Sequence, residues 1–332
     1  MSNLDGFDIE FSVCYKSLNL FGRQENNLAA KHYQSAEGVK MLSGAFTLLI
    51  TPFNKNMTLD EEGLKSLVRL QVKSGIHGLA PLGVTGESPL LSEEEIKRVA
   101  EIVVQEADGK CRVAPDTCSN NLDQTIKRVQ LYADLGCDYA VVFAPFLVKP
   151  TQAGIIAFYE TVAKSAKIPV IIHNSPDRVG VNIEPKTYAR LIDHENIIAT
   201  KDGKKEMDHL AKILSLARGK SFNVFTGKDT TAYPLMSFGG SGVFTVAGNI
   251  VPEVMRDVVD YCLRGEFNKA REIHYTYYEL FEALRLETNP MAVKEALALM
   301  GLPGGGLRLP LTRLSEPNRE ILQRLLKERQ LI

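Results

Sequence analysis

A chain of 332 residues that is 45% hydrophobic and 24% charged, with a formal net charge of −1, has the composition of a soluble globular enzyme. It lacks the basic excess that nucleic acid or an anionic membrane surface would demand, and no apolar run approaches the roughly 18 residues of a membrane span. The five cysteines (Cys14, Cys111, Cys118, Cys137, Cys262) are odd in number and contain no Cys-x-x-Cys pair, which disfavours a disulfide framework and a zinc site and fits a reducing cytoplasm.

In chain order, residues 1–41 are mixed and weakly periodic, without the apolar core or cleavage site of a secretory signal, and are expected to be a poorly ordered extension. Apolar, β-branched runs then begin near Phe46, Gly78, Arg112, Tyr139, Pro169, Ile197, Phe222 and Gly242, with amphipathic stretches in most of the gaps. Leu64, Leu67, Val68 and Val72 form one helical stripe. Ser92-Glu93-Glu94-Glu95 reads as a capping box, and Ile96, Val99, Ala100, Val103 and Ala107 continue as an apolar face. Eight alternations of buried strand and one-sided helix predict an α/β fold, a TIM (β/α)8 barrel, spanning 42–250. A doubly wound open sheet is the alternative. After Gly248 the strand rhythm stops, and helical patterns run from Val251 to Arg264, Glu266 to Glu287, Met291 to Met300 and Glu316 to Gln330. Residues 251–332 are therefore expected to be the last barrel helix plus a C-terminal helical appendage.

In such a barrel the strand ends converge on one face. That rule gathers Thr85 and Glu87, Asn120, His173, Arg178, Lys201, Lys228 and Asp229. Lys201 ends the apolar run Ile197-Ile198-Ala199-Thr200, where an amine held out of water can condense with a keto acid; the plainer reading is a solvated strand-end lysine. A solvated lysine, pKa about 10.4, is free amine in about one molecule in 2,500 at pH 7, and desolvation with a nearby cation raises that fraction. Lys228 is the candidate cation; the plainer alternative is a surface salt bridge to Asp229. The turn Gly83-Val84-Thr85-Gly86-Glu87-Ser88 is either a carboxylate cradle of backbone N–H groups or an ordinary tight turn, with Glu87 closing its hydrogen bonds.

Together, the Gly83 turn, His173-Asn174-Ser175-Pro176-Asp177-Arg178-Val179-Gly180 and Lys201, in that order and spacing, resemble the dihydrodipicolinate synthase and N-acetylneuraminate lyase family of pyruvate Schiff-base enzymes. The resemblance runs from about Leu42 to the end. Asn289-Pro290-Met291-Ala292-Val293-Lys294 and Gly306-Leu307-Arg308-Leu309-Pro310-Leu311 place it nearer the synthases. It implies a lyase whose catalytic lysine is Lys201, needing no metal or other cofactor beyond the covalent Schiff base. Thr85, Val84, Arg178 and Val246 would contact substrate, supported by Gly83, Gly86, Glu87 and Lys228. Thr85 would anchor the pyruvate carboxylate, and Arg178 would take that of the second substrate. It further implies a cytoplasmic homotetramer built as a dimer of dimers, with a small keto acid and an aldehyde as its only partners.

The chain departs from that pattern where the synthases keep a proton relay of one threonine and two tyrosines. Val84, Leu147 and His173 occupy the matching positions, and the first two carry no hydroxyl. Leu147 also replaces the tyrosine that reaches the partner subunit. His173 can still accept and donate a proton, with an ordinary pKa of about 6.5 suited to neutral pH, although a packed histidine is the plainer reading. Three classes of function follow: a synthase-like aldolase, with a 2-keto-3-deoxy sugar acid aldolase or dehydratase as its variant; a non-catalytic keto-acid-binding or scaffold relative; and a phosphate-binding barrel. Only Gly239-Gly240-Ser241-Gly242 speaks for the last, and it is better read as the turn into strand eight.

Overall fold

The computed structural model describes residues 42–332. The expectation for the extension 1–41 lies outside them. Eight parallel strands form the sheet: β1 Gly44–Thr47, β2 Gly78–Leu79, β3 Arg112–Val113, β4 Ala140–Phe143, β5 Val170–Asn174, β6 Ile197–Asp202, β7 Asn223–Thr226 and β8 Gly242–Thr245. Their order is β3-β2-β1-β8-β7-β6-β5-β4. The first and last strands of the chain therefore pair, with Gly44 opposite Gly242 and Thr47 opposite Thr245. This contact is close: a Cβ at Gly242 would lie 1.9 Å from the Gly44 carbonyl oxygen, so only glycine fits there. Beyond the short β3, a parallel bridge joins Asp116 to Val141. Thr117 N donates to Val141 O at 2.8 Å and Val141 N to Pro115 O at 2.9 Å. That bridge closes the barrel and excludes the open sheet.

Successive side chains of a strand face opposite sides. Inward positions fill the barrel, where Phe46 stacks on Phe244 at 5.0 Å and meets Phe225 edge-on at 5.8 Å. Outward positions meet the helices. Glu61–Ser74 starts at Asp60, whose carboxylate accepts from Gly63 N, and Glu93–Ala107 starts at the Ser92/Glu95 capping box expected from the sequence. The C-terminal helices span Pro252–Leu263, Phe267–Ala283, Met291–Leu299 and Glu316–Glu328. The second stops short of Glu287. Pro290, which has no N–H to donate, starts the next helix from an irregular segment, and Arg285 and Thr288 are thereby freed to fold over the barrel mouth.

Candidate active site

Thr200 and Asp202 flank Lys201 and point outward. Asp202 accepts from Tyr188 Oη at 3.0 Å and Asn174 Nδ2 at 2.8 Å, and its Oδ2 lies 3.1 Å from His209 Nε2. Such a network fixes the end of β6. Lys201 then projects inward, 4% exposed, with Nζ 5.7 Å from the centre of the Phe244 ring. Burial lowers its pKa to about 8; Asp116 and Cys118 oppose the shift, and the Arg285 charge adds to it. At that value about one molecule in ten carries the free amine at pH 7.

His173 is paired directly across from Lys201 in the β5–β6 register. Its Nδ1 lies 2.6 Å from Asp116 Oδ2, and its ring stands edge-on to Phe143 at 4.3 Å. Burial, followed by the Lys201 charge, lowers the pKa of His173, and Asp116 opposes both. The imidazole is thus neutral at pH 7. With a carboxylate as its partner, Nδ1 carries the proton and Nε2 keeps the lone pair. Asp116 is itself held: Oδ1 accepts from Cys118 N at 2.9 Å, and its carbonyl from Tyr132 Oη at 3.1 Å.

The Gly83 turn follows β2. A Cβ at Gly86 would sit 2.8 Å from Leu82 N and 3.1 Å from Leu49 O, so this turn needs glycine at that position, whereas Gly83 has room. Among the described residues the N–H groups of Val84, Thr85 and Gly86 donate to no backbone carbonyl. Thr85 Oγ1 accepts from Asn289 Nδ2 at 2.8 Å. Glu87 turns away from the mouth: it forms a buried ion pair with Lys294 and accepts from Arg308 N at 3.2 Å, so its bonds reach the C-terminal region as well as its own turn.

Around the rim, Arg178 Nη2 donates to Thr288 Oγ1 at 2.9 Å and Arg285 Nη2 to Gly227 O at 3.1 Å. Lys228, 6% exposed, meets Asp177 at 3.1 Å, not Asp229. Asp229 instead accepts from Thr245 Oγ1 at 2.5 Å, tying β7 to β8. Val246 is buried at the end of β8. Asn120 ties its loop to Phe146 O at 3.2 Å. Leu147 stands outside this cluster, 81% exposed with φ +71°.

The dihydrodipicolinate synthetase family model matches residues 41–329. The chain belongs to that family. As a family member it is a lyase of the class I aldolase superfamily. It is 39% identical to 4-hydroxy-tetrahydrodipicolinate synthase of Methanocaldococcus jannaschii over 88% of this chain and 100% of that one. The crystal structure of dihydrodipicolinate synthase from Thermotoga maritima superposes with a TM-score of 0.85 at 36% identity, covering 88% of this chain and 100% of that one. The chloride-inhibited synthase from Acinetobacter baumannii, complexed with pyruvate, gives 0.85 at 32% identity, covering 87% and 99%.

Two residues of this family member's site escape sequence reasoning. Asp116 lies four residues before Asn120, the residue to which the strand-end rule pointed. Its signal is the polar run Asp116-Thr117-Cys118-Ser119 directly after Ala114-Pro115. Arg285 comes from the C-terminal helices, outside the strand-end loops, and carries no local signal.

Proposed function

We propose that Lys201 is the nucleophile of a class I aldolase acting on pyruvate or a similar 2-keto acid. The observation that carries this reading is the buried Lys201 amine, with its pKa near 8, facing His173 across one strand pair. The amine adds to the C2 carbonyl and the carbinolamine loses water, leaving a protonated imine. His173 Nε2, its ring held by Asp116, takes a proton from C3 to give the enamine. The enamine carbon attacks an aldehyde, and His173 returns the proton to the new alkoxide. Water then releases the product from Lys201. In reverse the same groups cleave a hydroxy keto acid. No step as written needs a metal.

The keto acid carboxylate would sit on the free N–H groups of the Gly83 turn beside Thr85, with Val84 and Val246 as apolar walls. Arg178 would orient the carboxylate of the second substrate. The name of the relatives, 4-hydroxy-tetrahydrodipicolinate synthase, supports a synthase reaction. Val84 and Leu147, which offer no hydroxyl, and the His173–Asp116 pair favour a second reading, cleavage or dehydration of a 2-keto-3-deoxy sugar acid. Assembly as a homotetramer belongs to the same proposal, supported by the exposed apolar tip Leu147-Val148, and sedimentation measures it. A cytoplasmic location fits the four buried, unpaired cysteines of the described residues.

A survey of short keto acids by borohydride reduction and mass spectrometry tests the reading. Pyruvate should label the wild-type protein and Lys201→Ala should abolish labelling. Absence of any adduct with every keto acid would leave the scaffold reading.

A further inference from the structure

The rim beside Lys201 is a closed ring of contacts built from cations. Lys228 reaches Asp177, whose chain neighbour is Arg178. Arg178 reaches Thr288, three residues beyond Arg285. Arg285 reaches the carbonyl of Gly227, the neighbour of Lys228. Gly227 lies over the lysine stem: a Cβ there would come within 3.4 Å of Lys201 Cε. The ring thus lies against the stem of the lysine that would carry the imine.

The ring is short of negative charge. Among the described residues, neither Arg178 nor Arg285 has a carboxylate within ion-pair distance, and Asp177 alone answers the three cations. The other carboxylates nearby are committed: Asp116 to His173 and Cys118 N, Asp229 to Thr245, and Glu87 to Lys294. The cations also feel one another, since the Arg285 charge depresses the pKa of Arg178, Lys228 and Lys201 alike. Uncompensated cations held near each other by neutral hydrogen-bond partners suit an incoming anion, and guanidinium groups bind carboxylate or phosphate in two-point fashion. An ammonium group at the same place would add a like charge.

We propose that Arg178, Lys228 and Arg285 seat an anionic group of the second substrate, so that the aldehyde joined to or cleaved from the keto acid carries a carboxylate or phosphate at its far end and no ammonium group. This rests on the Schiff-base reading above. It extends that reading by making Lys228 and Arg285, and not Arg178 alone, selective for the acceptor.

The test uses the full chain with saturating pyruvate and four acceptors: succinic semialdehyde, glyceraldehyde 3-phosphate, glyceraldehyde and aspartate semialdehyde. The anionic pair should exceed the neutral and the zwitterionic acceptor in kcat/KM by about tenfold or more, and whichever of the pair leads names carboxylate or phosphate. Added salt should raise KM for the anionic acceptors and not for glyceraldehyde. Arg285→Gln should raise that KM about 10- to 100-fold, and Arg285→Lys should restore part of it. Turnover of glyceraldehyde equal to that of both anionic acceptors, preference for aspartate semialdehyde, or salt-independent KM values would each overturn the proposal. Borohydride labelling of the wild type by pyruvate is scored separately, so loss of the Schiff base itself is not confused with a wrong acceptor.

Discussion

At the scale of residues, the proposed chemistry asks as much of the pair His173–Asp116 as of Lys201. A neutral imidazole whose Nδ1 proton is held by a buried carboxylate keeps its Nε2 lone pair in one tautomer and one orientation. Asp116→Asn preserves the shape and removes the acceptor charge. It is expected to lower kcat by about 10²- to 10⁴-fold, the usual worth of a positioned acid–base group, while pyruvate capture by Lys201 persists. Stopped-flow imine formation and steady-state turnover separate the two, and equal loss in both would show that Asp116 serves the lysine instead. The rate of imine formation should also rise with pH and inflect near 8, because only the free amine attacks. The places of Lys201 and His173, each next to last in its apolar strand, were legible in the sequence because those runs are four or more residues long. Asp116 was not, because a two-residue strand leaves its end uncertain by more than the strand's own length.

At the scale of elements, long-range bonds hold the Gly83 turn to the C-terminal region. Lys294 of the helix Met291–Leu299 is 2% exposed, pairs with Glu87, donates to Gly306 O at 2.7 Å and lies 4.3 Å over the Phe53 ring. Removing one partner of a buried pair strands the other charge. Lys294→Met should therefore destabilise by about 3–5 kcal/mol, and Glu87→Gln with Lys294→Met by less than the single change. Chemical denaturation measures both. The sequence showed Glu87 as a turn residue because its partner lies far along the chain, beyond any local pattern.

The helix Phe267–Ala283 carries a second charge-sensitive position. His274 is 1% exposed among Tyr233, Tyr278 and Phe281, and burial lowers its pKa from 6.5 to about 4. Protonation then favours the unfolded chain, whose histidine has the higher pKa. The resulting stability is full above pH 6.5 and is lost as pH falls toward 4, in total about 3 kcal/mol. His274→Phe should flatten the melting temperature over that range, and an unchanged acid slope would show that other groups set it.

At the scale of the whole molecule, the alternation of eight apolar strands with one-sided helices made the barrel legible, and strand starts fell within two residues of their expected places. What the alternation could not show was closure, which rests on β1 against β8 and on the single bridge at Asp116. Nor could it show that the segment between the helices ending at Ala283 and starting at Met291 returns Arg285 and Asn289 to the mouth. Barrel strands carry Lys201 and His173, and the appendage adds Arg285, Thr288 and Asn289 to a rim begun by the barrel loops. Replacing Asn289 by Ala should therefore reach the site from the appendage, loosening Thr85 and raising the KM for pyruvate by about tenfold, the worth of one hydrogen bond to a buried group.

The central claim is that a buried, depressed-pKa Lys201 captures the keto acid. Borohydride reduction of the full chain with pyruvate, followed by peptide mapping, tests it most directly. A single pyruvate-derived adduct should map to Lys201 and form faster at pH 9 than at pH 7. An adduct on Lys228, or none at either pH, would contradict it.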